Sequence, residues 1–79
     1  MTLNALLRRM RAIIAPETGE QEAAAIAREI MYDLKGWDLT QLAIRDGDPV
    51  SAFTADKALE AASRVAAGEP VQYIFGTAR

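Results

Sequence analysis

Hydrophobic positions recur at helical spacing in three separate stretches of this chain. In the first, Leu3, Leu6, Leu7, Met10, Ile13 and Ile14 trace one stripe of an amphipathic helix. Thr2 or Asn4 can cap its start. Pro16 predicts its end, because a proline ring pushes the preceding residue out of the helical region. The second stripe is the cleanest: Ala23, Ile26, Ala27, Ile30, Met31 and Leu34. Thr18 to Gln21 reads as a capping box at its start, with Glu20 and Glu22 in the first turn, where the helix dipole favours negative charge. Lys35 and Gly36 mark its stop. The third stripe runs Ala55, Ala58, Leu59, Ala62, Val65 and Ala66, with Thr54 as the expected cap and Gly68 closing it. Between the second and third, Asp38 offers a cap with Gln41 three residues on, and Trp37 and Leu42 are spaced as a hydrophobic staple. The short helix begun there is cut off by Asp46-Gly47-Asp48-Pro49, a run of turn-forming residues.

No stretch alternates convincingly as a strand, although Tyr73 to Thr77 could begin one beside a partner. The fold class expected is all-α: a small bundle of four helices plus a short C-terminal helical turn. That turn would start at Pro70 and carry Val71, Tyr73 and Ile74. Residues 1–67 are the expected bundle and residues 68–79 a junction segment. Connections of about 3 to 8 residues suit such a bundle.

Composition narrows the chemistry. Seventy-nine residues make one small domain. Cysteine and histidine are both absent, which removes disulfides, thiolate metal sites and the commonest general base. The net charge of −2 argues against nucleic-acid binding, which needs a concentrated basic face. No apolar run approaches the ~20 residues that span a bilayer, and Arg8, Arg9 and Arg11 fall inside the first apolar stripe, not ahead of one. A cytoplasmic location without membrane attachment is expected.

Individual candidates reduce to structure. Asp46 and Asp48 flank a glycine, yet a calcium loop starting at Asp46 would need a carboxylate where Lys57 stands. Glu29 and Asp33 share a helix face and read as a solvated surface, not an acid–base pair. The segment joining the third and fourth helices is too long for a helix-turn-helix, and Asp56 and Glu60 offset Lys57 and Arg64 on its would-be recognition helix. The five glycines lie too far apart for a phosphate-binding turn. No catalytic, cofactor-binding or metal-binding residue is therefore assigned.

What remains is the C-terminal punctuation. Gly68-Glu69-Pro70-Val71-Gln72-Tyr73-Ile74-Phe75-Gly76, with Arg64 four residues before it, is more than a bundle needs in order to finish. This run resembles the junction segment of the release-factor glutamine methyltransferases, the HemK/PrmC family. The resemblance is close over the last dozen residues and loose, limited to helix order, upstream. It implies an N-terminal helical bundle preceding a Rossmann-like domain. That domain would bind S-adenosylmethionine and methylate the glutamine of the Gly-Gly-Gln loop in peptide chain release factors. The family's catalytic Asn-Pro-Pro-Tyr motif is absent here, since Asn4 is the one asparagine and alanine follows it. The bundle by itself is therefore expected to be non-catalytic. The resemblance implies two partners, a release factor and the chain's own methyltransferase domain. It also makes Arg64, Gly68, Glu69, Pro70, Tyr73 and Gly76 an interdomain joint. A free-standing interaction module with another partner is the alternative.

Overall fold

The computed structural model describes residues 1–69 and shows four helices: α1 (Leu3–Thr18), α2 (Glu20–Lys35), α3 (Leu39–Ile44) and α4 (Ala52–Ala66). The expected C-terminal turn lies outside the described residues. α1, α2 and α4 pack on one another, and α3 adds a short fourth piece at the edge. The all-α bundle expected from the stripes is the fold observed.

Three local expectations were wrong. Pro16 does not end α1, which continues to Thr18. A proline inside a helix removes one N–H and crowds the carbonyl a turn earlier, here that of Ala12, an exposed residue whose carbonyl can turn to water. The last turn is then held from beyond the proline. Thr18 Oγ1 donates to the Ile14 carbonyl at 3.3 Å, and the Gly19 amide donates to that of Ala15 at 2.7 Å. Thr18 thus belongs to α1 and forms no capping box for α2. Gly19 alone joins the two helices, serving as C-cap to one and N-cap to the other with no side-chain cap. Its backbone, at φ 97° and ψ 162°, occupies a region essentially reserved for glycine. That single residue folds α2 back against α1, so the connection is shorter than expected.

The third correction concerns α4. Its cap is Ser51, whose Oγ accepts from the Thr54 amide at 3.1 Å, while the Ser51 hydroxyl donates to Thr54 Oγ1 at 3.0 Å. Thr54 sits inside the helix and is buried. The reciprocal pair lets a buried hydroxyl accept a hydrogen bond, which an orphan there would lack at real cost. The other caps stand as expected. Thr2 Oγ1 accepts from the Ala5 amide, Asp38 Oδ1 accepts from the Gln41 amide at 2.9 Å, and Gly36 ends α2 in the left-handed conformation.

The core sets large side chains against small ones. Leu3, Leu6, Met10 and Ile14 of α1 are fully buried, as are Ile30 and Met31 of α2. α4 meets them with Ala55, Ala58, Ala61 and Ala62. Alanine at the closest approach lets the helix axes come near one another without leaving voids or forcing strained rotamers. The buried face of α4 is therefore rotated toward its alanines: Ala61 is buried, whereas Leu59 and Val65 lie half-buried at the margin.

The segment between α3 and α4 closes the N-terminus of α1. The Leu3 amide donates to the Asp48 carbonyl and the Asn4 amide to that of Asp46, both at 2.9 Å. The Val50 amide donates to the Met1 carbonyl at 2.9 Å, giving an isolated antiparallel bridge between Thr2 and Pro49. With Thr2 serving Ala5, the first free amides of α1 all have acceptors.

Two substitutions test this account. Gly19→Ala should cost about 1–3 kcal/mol, since no atom lies within 4 Å of the added methyl and the whole penalty is backbone strain. Ala58→Leu should cost about 1–3 kcal/mol through overpacking at the fully buried contact. Both are read as a lowered urea midpoint at unchanged denaturant slope.

Candidate functional site

Of the six residues expected at the joint, Arg64, Gly68 and Glu69 are described, whereas Pro70, Tyr73 and Gly76 lie outside the described residues. α4 ends at Ala66, and the chain then leaves through Gly68 at φ 103°. Across that turn Arg64 and Glu69 clasp each other. Arg64 Nε donates to Glu69 Oε2 at 2.7 Å and Arg64 Nη2 to Glu69 Oε1 at 3.1 Å, a two-pronged fit of guanidinium to carboxylate. The Glu69 amide also donates to the Arg64 carbonyl at 3.1 Å. Gly68 makes the pairing possible by turning the chain back over the last turn of α4.

The clasp is a directional device more than a stabilising one, since its side chains are 43% and 45% exposed and water screens them. Its effect on protonation follows from the geometry. The hydrogen bonds from Arg64 hold the Glu69 carboxyl below its ordinary range, partial desolvation opposes them, and the guanidinium charge adds a smaller pull. Arg64 is correspondingly raised, chiefly by its hydrogen bond to Glu69. A lowered carboxyl pKa contributes above the unfolded value and is lost as pH falls through the folded one; the raised arginine contributes until strongly alkaline pH. The clasp is therefore complete at neutral pH and opens in acid, or at strongly alkaline pH where the guanidinium loses its proton.

A second feature was not foreseen. A cleft of about 240 Å³ runs between α1, α2 and α3. Its floor and walls come from Leu7 on α1, Ala24 and Ala27 on α2, and Leu39 and Leu42 on α3. Arg11 and Arg28 stand on its rim, and Asn4 and Asp46 close one end. A shallower hollow adjoins it past Leu39 and Leu42, bounded by Tyr32, Trp37 and Asp38. Trp37 and Leu42, expected as a staple, both line that hollow. Lys35 Nζ lies 5.5 Å and the Arg45 guanidinium 4.9 Å from the Trp37 ring centroid, and Gln41 Oε1 accepts from Arg45 Nε at 3.2 Å. These cation–π contacts fix the indole at the rim. No periodicity marks the cleft in the sequence. It arises because α3 buries Leu42 alone and covers only part of the α1–α2 surface.

Among the described residues no strand leads into a glycine-rich turn, and the cleft is lined by alkyl groups with guanidinium at the edge. The described residues also include no group of three or more histidine, cysteine, aspartate or glutamate side chains placed to hold a metal ion. No described helix is long and apolar enough to cross a membrane.

The class defined so far is a small helical domain with a clasped exit and an open side cleft. Compared with known families, residues 5–76 match the PrmC N-terminal domain, nearly the full length of the chain. The chain belongs to that family. No curated protein and no solved structure gives a significant match.

The clasp can be tested directly. The Arg64 Nε–H resonance should keep its hydrogen-bonded position through the pH range in which a free glutamate protonates, and lose it only in stronger acid. In Glu69→Ala, where no side-chain acceptor is left, it should take the free position at every pH while the thermal midpoint stays unchanged.

Proposed function

We propose that this chain is the substrate-recognition domain of a protein methyltransferase whose substrate is the Gly-Gly-Gln glutamine of peptide chain release factors. The single observation that carries this reading is the match to the PrmC N-terminal domain over residues 5–76. The methyl donor, S-adenosylmethionine, would be held by a following Rossmann-like domain, and the helical domain contributes no group to the chemistry. The work assigned to this domain is physical. A loop glutamine offers an enzyme little to hold, so binding a remote part of a large protein substrate converts the approach of that loop into a nearly intramolecular step. For that, the two domains must keep a defined geometry. The Arg64–Glu69 clasp, at the exit from α4, is placed to set the angle at which the chain departs. A cytoplasmic location follows from this reading, since release factors act on ribosomes.

The test is kinetic. In the full-length polypeptide, deleting residues 1–67 should raise the KM for release factor by about tenfold or more, the equivalent of losing about 1.4 kcal/mol of binding. Methylation of a short Gly-Gly-Gln peptide should change little. An unchanged KM for the intact factor would count against a recognition role.

A further inference from the structure

Four features of the cleft bear on what fills it. First, α3 is too short to cover its side of the bundle. Six residues extend about 9 Å, against about 24 Å for each of the sixteen-residue helices α1 and α2. Among the described residues α3 thus covers only part of the groove between α1 and α2. Second, the opening is apolar inside, with Leu7 and Ala24 half-buried in it and Leu39 at its mouth 68% exposed. Third, the rim is cationic although the whole chain carries a net charge of −2. Arg11 and Arg28 border the cleft, and Arg8 stands one helical turn from Asn4 and Arg11 on the same side of α1. Among the described residues Asp46 is the one carboxylate lining it. Fourth, among the described residues none of these three arginines is in an ion pair.

We infer that this cleft is where the domain grips its protein substrate, and that the docking segment is an aliphatic side chain flanked by carboxylates. This rests on the recognition role proposed above and adds which face performs it and what chemistry it selects. The volume accommodates one or two leucine-sized side chains. Their burial supplies the affinity, and carboxylates meeting the three guanidiniums fix register and speed encounter. Guanidinium suits this role because its planar fork pairs with carboxylate in two-pronged fashion while its weak hydration keeps desolvation modest. A basic or uncharged apolar segment would fill the same volume without engaging the rim. The far side of the bundle lacks the combination: Phe53 on α4 is exposed, but its neighbour Lys57 already lies over its ring at 5.7 Å.

Amide chemical-shift mapping on the domain decides the matter. With purified release factor, shifts should centre on Leu7, Ala24, Arg28 and Leu39; shifts centred on Phe53, Lys57 and Glu60 would overturn the assignment while leaving the recognition role standing. If the factor does not bind at all, the recognition role fails, and a designed probe then settles the cleft. That probe is a helical peptide of about 16 residues bearing leucines at i and i+4 with glutamate neighbours, compared with its lysine-substituted twin. Saturable shifts in the cleft with the glutamate peptide alone uphold the inference; equal binding of the twin, or none by either, sinks it. The double variant R11E/R28E should weaken whichever ligand binds by about tenfold or more, whereas K57E should leave it unchanged. Equal affinity in R11E/R28E, with the fold confirmed by its amide spectrum, would overturn the role of the rim.

Discussion

The closure of the N-terminus of α1 by the segment following α3 is the constraint on which the rest of the arrangement depends. A helix start carries amides with no partner in the helix, and burying one end of the bundle without acceptors would be costly. Here backbone carbonyls of Asp46 and Asp48 take the amides of Leu3 and Asn4, and Met1 returns the favour to Val50. These bonds run between segments more than forty positions apart, so they define the tertiary fold and not a local turn. They also decide where α4 starts, at the α1 N-terminal end, and hold α3 beside it although α3 buries a single leucine. The turn chemistry of Asp46-Gly47-Asp48-Pro49 serves this purpose: it presents successive carbonyls to the helix start, and its carboxylates stand near the positive end of the α1 dipole.

From that anchor the packing follows. Long side chains on α1 and α2 fill the interior, and α4 approaches with alanines because no room is left for more. This division of labour is consistent with a domain that must be firm while small. Few residues are available to bury, so stability comes from close approach of helices and from satisfied ends in place of a thick core. The same economy leaves one surface unfinished. A longer α3 would cover the α1–α2 groove; among the described residues a six-residue one covers only part of it, with guanidiniums along the margin. α4 packs against α1 and α2 to complete the core, and the proposed substrate contact uses the cleft that α3 covers only in part.

The exit from the bundle has a different character. The Arg64–Glu69 clasp is exposed and adds little to stability, yet its two-pronged geometry and the positive φ of Gly68 give the departing chain a direction. Direction is what the recognition role proposed above would require, since a substrate gripped at the wrong angle cannot deliver its loop. Both partners of the clasp were legible as a motif from sequence; that they bind each other was not, because a spacing of five residues pairs side chains only when a glycine turns the chain back.

Periodicity and capping chemistry determined the helical class, the core stripes of α1 and α2 and the cap at Asp38, and narrowed the α1 cap to Thr2 or Asn4, because those depend on residues within one or two turns. They misplaced the α1–α2 boundary, where Pro16 was tolerated once Thr18 and Gly19 closed the last turn from beyond it. They also misassigned the α4 cap, where Ser51 and Thr54 share their hydroxyls. The rotation of α4 toward Ala61, the anchoring of α1 by Asp46 and Asp48, and the cleft with its arginine rim were decided by tertiary structure alone. They depend on what distant segments leave uncovered, and a single stripe carries no information about the surface that another helix fails to reach.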